Sequence, residues 1–237
     1  MRGSPHEPPP EFDRIVTAMI DYLKTVDTPT LSNAIELLNI RPRSEGFTPL
    51  QVKCIFPEFG RMVGYAVTAH VETVTRLEPA DMNRFIELYE SLEASPKPAV
   101  IAFQEVGAMG DYAAHCGEVM ATCFTRLGAI GLVSDCGVRD IPEVRAMGFQ
   151  YFARGTVASH AYFRIVRVGV PVQVAGMVIQ PGDILHGDEN GLIQVPKSDA
   201  HRIAEMVDKV RSREKALMDY VKGPDFTLAG LRGKMVE

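Results

Sequence analysis

The sequence predicts an α/β domain in which strand–loop–helix units come first and a β-rich half follows. Three observations carry this expectation. Apolar residues recur at helical spacing in successive segments between residues 12 and 127. Continuous apolar runs of strand length, "PAVIAFQEV" and "AIGLVSD", stand between them. After Tyr151 the apolar period changes to two. Helices alternating with buried strands require crossover connections and parallel pairing, so a single layered sheet is the natural architecture.

The elements follow in chain order. Residues 1–11 hold four prolines and read as a flexible arm. Phe12, Ile15, Val16, Met19, Ile20 and Leu23 fall on one helical face. "TPTLSNAIELL" begins a second helix, with Thr28 as N-cap, Pro29 in the first turn, and Leu31, Ala34, Ile35 and Leu38 inward. Residues 60–75 are rich in β-branched side chains and read as a strand. Asp81 caps a helix whose stripe is Met82, Phe85, Ile86, Tyr89 and Leu92. After the strand at 98–106, a glycine-rich loop runs into a helix carrying Val119, Met120, Cys123, Phe124 and Leu127, closed by Gly128. The strand "AIGLVSD" leads through "SDCGVRDIPE" to a short helix ending at Gly148. Short strands then turn at Pro181-Gly182 and Asn190-Gly191. Ser198 caps a long helix to about Val221, and a polar tail follows. The organisation is an arm over 1–11, one domain over 12–222 and a tail over 223–237.

Bulk properties narrow the function. With 237 residues, 46% hydrophobic and 23% charged, the chain has an ordinary globular composition and length enough for a substantial core. A net charge of -5 leaves no basic footprint, so nucleic acid is not an expected partner. No apolar run approaches the roughly eighteen residues of a membrane span, and the N-terminus lacks the core of a signal peptide. Cys54, Cys116, Cys123 and Cys136 show neither CxxC spacing nor a zinc pattern, so reduced thiols in a cytoplasmic protein are expected.

"SDCGVRDIPE" holds the leading candidates and admits two readings. Asp140-Ile141-Pro142-Glu143 fits a capping box, with Asp140 as N-cap and Glu143 three residues on, a device contributing about 1 kcal/mol. The Arg139-Asp140 pair also follows the end of a buried strand, where open α/β sheets place ligands. Aspartate offers a hard oxygen to Mg²⁺, and arginine a fork for a carboxylate or enolate oxygen. Upstream, Gly117 stands at the mouth of a helix, where the amides of Gly117, Glu118, Val119 and Met120 suit an anion, or simply start a helix. His115 reads as a satisfied core or surface histidine, Glu105 and Asp111 as solvated loop carboxylates, and Asp183 and Asp188 as turn residues. Glu205, Asp208, Glu214 and Asp219 read mainly as a solvated helix face. No lysine occurs between Lys97 and Lys197, and no G-x-S-x-G elbow is present. Carbonyl chemistry at this centre would therefore need a metal Lewis acid.

These residues carry a resemblance. "GEVMATCFTRLGAIGLVSDCGVRDIPE" resembles the central signature of the family of class II 4-hydroxy-4-methyl-2-oxoglutarate/4-carboxy-4-hydroxy-2-oxoadipate aldolases, which also holds the regulator of ribonuclease activity A. "TPTLSNAIE", "GRMVGYAVTA" and "IQPGDILHGDENGLIQVP" are similar to further family segments, extending the resemblance over residues 15–220. The resemblance implies an α-β-β sandwich like the swivelling phosphohistidine domain, assembled as a homotrimer or dimer of trimers with sites between subunits. It implies that Asp140 anchors Mg²⁺ or Mn²⁺, with Glu118 and Glu143 near the metal waters. Arg139 would contact the 2-oxo oxygen and stabilise an enolate, and the Gly117–Met120 amides would hold the substrate carboxylate. Glu214 of a neighbouring subunit would help complete the site. The implied reaction is metal-dependent cleavage of a 4-hydroxy-2-oxo acid to pyruvate and a second carbonyl product, with oxaloacetate decarboxylation at the same site. Asn33 and Cys136 stand where the family often has aspartate and glycine. The rival reading is a non-catalytic regulator-like binding protein of ribonuclease or another partner, and a third is a hydrolase or tautomerase reusing the metal site. The regulator branch typically lacks the metal aspartate, so Asp140 favours the enzyme.

Overall fold

The computed structural model describes residues 18–74 and 81–236. Its helices are α1 (18–23), α2 (Thr28–Leu38), α3 (Met82–Ala94), α4 (Glu118–Arg126), α5 (Ile141–Met147), α6 (Ala200–Lys222) and α7 (Leu228–Val236). The first strands are β1 (Lys53–Cys54), β2 (Met62–Val74), β3 (Ala99–Glu105), β4 (Ala129–Ser134), β5 (Gly137–Val138) and β6 (Gln150–Ala153). They continue as β7 (Gly155–Thr156), β8 (Tyr162–Val168), β9 (Val172–Val174), β10 (Met177–Ile179), β11 (Ile184–Asp188) and β12 (Gly191–Val195).

The main sheet runs β1-β6-β4-β3-β2-β11-β12, with β8 also paired to β2. Strands β2, β3, β4 and β6 pair in parallel, and α3, α4 and α5 lie in the successive connections, giving three βαβ units. The remaining partners are antiparallel, so the architecture is mixed α/β.

Alternation along β2 sorts the cores. Val67, Ala69 and Val71 join Leu88, Leu92, Phe103, Phe124 and Tyr151 beneath α3 and α4. On the same face, Val63 and Tyr65 pack with α1, α2 and α6. The opposite residues, Met62 and Ala66, meet Val133, Phe152, Leu185 and the β9–β10 ribbon. A Cβ built on Gly187 of β11 would lie 2.6 Å from Phe152 Cζ of β6. Three strands separate β6 from β11 in the sheet, so this approach requires a strong curl towards a closed barrel. Helices cover the outside, and the ribbon helps fill the inside.

Several local expectations need correction. The N-cap of α2 is Asp27, which accepts from Thr30 N at 2.9 Å. Thr28 is turned inward: its amide donates to Asp188 Oδ2 at 2.8 Å and its hydroxyl donates to His186 Nδ1 at 3.0 Å. The His186 Nε2–H donates to Val26 O, which fixes the neutral tautomer. In α3, Leu88 and Leu92 are the buried residues, whereas Met82 and Ile86 of the expected stripe are exposed. The N-cap position of α6 is Asp199, without a side-chain cap, because Ser198 bonds the Asp199 carboxylate. The β11–β12 loop is Glu189-Asn190, with Gly191 already paired to Asp188. A second hairpin turn, Ala175-Gly176 with φ +47° and +98°, was unmarked by the usual dipeptides. Within the expected polar tail, residues 228–236 form α7. The arm and the helical positions Phe12, Ile15 and Val16 lie outside the described residues.

Candidate active site

A small parallel patch brings the two candidate segments together. The loop before α4 runs alongside β5: Gly137 N donates to Ala113 O, His115 N to Gly137 O, and Arg139 N to Cys116 O at 3.0 Å. On its other side β5 pairs with β7. Both segments leave the C-terminal ends of parallel strands β3 and β4, the edge where such sheets place ligands. The register sets Gly117, at the mouth of α4, against Arg139 and Asp140.

Asp140 is held there by its backbone and its carboxylate. It occupies the N-cap position of α5 with φ 57° and ψ 48°, a left-handed conformation that is uncommon for a residue with a side chain. That conformation turns the carboxylate away from its own helix, so the expected Asp140–Glu143 capping box does not form. Instead Asp140 Oδ2 accepts from Glu118 N, the first amide of α4, at 2.8 Å. Arg139 Nε lies 3.7 Å from the same oxygen. Gly117 leaves the space for this crossing, since a Cβ there would sit 2.4 Å from Asp140 Oδ2 and 2.9 Å from Arg139 Nε. Asp140 is thus an external cap on α4, favoured by the positive end of that helix. Among the described residues no donor engages its second oxygen.

A cleft of about 250 Å³ opens over this corner, lined by Gly117, Val119, Met120, Arg139 and side chains from α3 and β8. Of the expected anion amides, Glu118 N is taken by Asp140, and glycine at the N-cap leaves Val119 and Met120 without a side-chain cap. The Glu118 side chain and Glu143, in the first turns of α4 and α5, are both exposed. Glu214 is not brought to this corner within one chain. It lies on α6, which packs on α2, and its Oε1 accepts from Asn33 Nδ2 at 3.2 Å.

A second polar cluster lies beside this corner and corrects the reading of Glu105. That carboxylate is not solvated: its side chain is 8% exposed and accepts from Thr73 N, Thr73 Oγ1, Gly107 N and His115 Nε2. Burial pushes the Glu105 carboxyl up, but the bonds from His115 and Thr73 outweigh it and hold the group below its ordinary range. His115 Nδ1 accepts from Ser134 Oγ, which itself accepts from Cys136 N. Candidate ligand atoms of Glu105, His115 and Cys136 lie within 4.8 Å of one another. The carboxylate's acceptor capacity is already used, and burial pushes the Cys136 thiol far up, keeping it protonated. This cluster therefore acts as a buried brace between β3, β4 and the loop before α4. Sequence reasoning missed it; the signal lay in the register, because Glu105 is the last residue of a buried strand. Burial likewise pushes the Cys116 thiol up to about 12.

Comparison with known proteins identifies the family. The RraA-like family model, Aldolase/RraA, matches residues 28–194. A Halalkalibacterium halodurans protein provisionally named 4-hydroxy-4-methyl-2-oxoglutarate aldolase is 29% identical over 214 residues, covering 86% of this chain and 92% of its own. An uncharacterized Pseudomonas syringae protein superposes with a TM-score of 0.69 at 24% identity, with 100% of both chains covered. Streptomyces coelicolor RraAS2, described as an unusual member of the RNase ES inhibitor RraA protein family, gives 0.63 at 24% identity over 90% of this chain and 96% of its own. At these identities the two structures speak for the fold. The matched span holds Gly117, Arg139 and Asp140 together with the strands that position them, and the chain belongs to the RraA-like family.

Proposed function

We propose that the protein is a divalent-metal-dependent lyase that cleaves 4-hydroxy-2-oxo acids to pyruvate and a second carbonyl product, and decarboxylates oxaloacetate. The observation that carries this reading is the Asp140 carboxylate, pinned by one oxygen to Glu118 N beside Arg139, with its other oxygen uncommitted. A partly exposed carboxylate with a free oxygen suits a hard cation, which needs few protein ligands. Mg²⁺ or Mn²⁺ held by Asp140, with Glu118 and Glu143 as supporting carboxylates, would supply Lewis-acid polarisation of the 2-oxo acid.

The chain's own groups account for the rest. The open amides of Val119 and Met120 bind the substrate carboxylate at the positive end of α4. Arg139 donates to the keto oxygen. As a base takes the C4 hydroxyl proton, the C3–C4 bond breaks and its electrons move through C3–C2 to that oxygen. Charge grows beside the guanidinium during the step, which is where stabilisation accelerates a reaction. Protonation at C3 then gives pyruvate. Oxaloacetate follows the same electron path with CO₂ as the leaving fragment. Glu214, exposed on α6, would enter the site of a neighbouring copy in a trimer or dimer of trimers.

The test is pyruvate release from a panel of 2-oxo acids, followed by coupling to lactate dehydrogenase. Activity that EDTA abolishes and Mg²⁺ restores is expected. Inactivity on every 2-oxo acid, together with tight binding of a protein partner, would favour the regulator-like alternative.

A further inference from the structure

The cleft beside Arg139 has a wall that the reaction itself does not require. Its apolar lining consists of Met82 and Phe85 of α3, the side chains of Val119 and Met120 of α4, and Phe163 of β8. Phe85 and Phe163 meet edge to face with centroids 6.1 Å apart, and Phe163 also packs on Phe103, so this wall is anchored in the core. Met82 and Val119 are exposed at 66% and 77%, a high exposure for apolar side chains that line a concave site.

Among the described lining residues, Arg139 is the one permanent cation. His160 also lines the cleft, its Nδ1 donating to Ala161 O at 2.6 Å. A 4-hydroxy-2-oxo acid with a second carboxylate on C4 would engage Arg139 and the α4 amides at one end and leave the other charge, which is not lost in the cleavage, against methionine and phenylalanine. Burying an unpaired charge there is unfavourable, whereas an alkyl or aryl group gains from the same surface.

We infer that this site takes 4-hydroxy-2-oxo acids whose C4 substituent is apolar, in preference to dicarboxylic ones such as 4-hydroxy-4-methyl-2-oxoglutarate. The inference rests on the lyase reading above and specifies its substrate class. Lengthening an unbranched C4 chain is expected to raise kcat/KM about fourfold per buried methylene until the wall is filled. Met82→Arg, at an exposed position on the rim, places a second cation where the distal carboxylate would lie. It is expected to raise the dicarboxylate-to-alkyl ratio of kcat/KM by about tenfold or more.

The experiment measures metal-dependent pyruvate release by wild type and Met82→Arg. The substrates are 4-hydroxy-4-methyl-2-oxoglutarate, its isopropyl isostere, and unbranched 4-alkyl homologues. A rise along the alkyl series and a ratio shifted by Met82→Arg support the assignment. Metal-dependent cleavage that is faster on the dicarboxylate and indifferent to chain length overturns it while leaving the lyase reading intact. No pyruvate from any substrate overturns both.

Discussion

Gly117→Ala isolates the contact on which the candidate site depends. Gly117 has φ -140° and ψ -170°, extended backbone open to any residue, so alanine brings no conformational strain of its own. Its Cβ would lie 2.4 Å from Asp140 Oδ2, roughly 1 Å inside ordinary van der Waals contact. Relieving that clash pushes the carboxylate off Glu118 N, where the bond is now 2.8 Å. A hydrogen bond to a charged group contributes about 1.5–3 kcal/mol, and here the lower end applies because the Asp140 side chain is 36% exposed. Alanine returns about 0.4–1 kcal/mol by restricting the unfolded chain. The net loss of stability should be about 1 kcal/mol, read as a small shift of the urea midpoint at constant slope. Activity should fall much further, by about a hundredfold in kcat/KM, because a displacement near 1 Å at a reacting centre has that effect. Gly155→Ala is the control, since a Cβ there meets nothing within 4 Å. A folded Gly117→Ala protein with wild-type kcat/KM would refute the role given to the Asp140–Glu118 contact.

Other perturbations probe the frame around the site. Burial holds the His186 ring below its ordinary range, outweighing its bonds to the Leu23 and Val26 carbonyls, so the fold keeps it neutral. Its contribution is complete above the unfolded value of about 6.5 and declines as pH falls towards the lower folded value. Urea midpoints measured across that window should drop on the acid side, and His186→Gln should flatten this limb; an unchanged limb in the variant contradicts the assignment. Glu105, also depressed in the fold, contributes fully above about 4.3 and loses its share as pH falls through its folded value. Glu105→Gln should shrink the acid-denaturation limb below that point and lower stability at neutral pH by about 1–3 kcal/mol. Cys116 and Cys136, buried and with thiols pushed up, should resist iodoacetamide at neutral pH until the chain is unfolded; labelling of either in the native protein speaks against their burial. Leu92→Ala, fully buried on the inner face of α3, should cost about 2–5 kcal/mol in a urea titration.

Much of this arrangement is legible in the order of residues, because local physics agrees with the fold. Asp81, Gly128 and Gly148 mark helix ends by chemistry that survives any packing, and all three hold. The parallel strands are recognisable because burial on both faces leaves them continuously apolar. The errors arise where tertiary contacts compete with a local rule. Thr28 is a good cap by type, yet Asp188 and His186 draw it inward and Asp27 takes the role. Asp140 fits a capping box in sequence, but its left-handed backbone sends the carboxylate to α4, twenty-two residues upstream at Glu118. Glu105 looks like a loop acid because nothing local announces Thr73, His115 and Ser134 as its surroundings. The apolar wall of the cleft is likewise assembled from α3, α4 and β8, which no spacing in one segment brings together.

The central claim is that Asp140 serves metal-dependent chemistry and not merely the cap on α4. Asp140→Asn separates the two roles, because its amide oxygen still accepts from Glu118 N while the negative charge is lost. The decisive measurement is pyruvate release by wild type and Asp140→Asn over a titration of Mg²⁺, with urea midpoints taken on both proteins. Near-equal midpoints, metal-dependent activity in the wild type and loss of about a hundredfold or more in the variant are predicted. Activity in Asp140→Asn that matches wild type, or wild-type activity that persists in EDTA, would contradict the account.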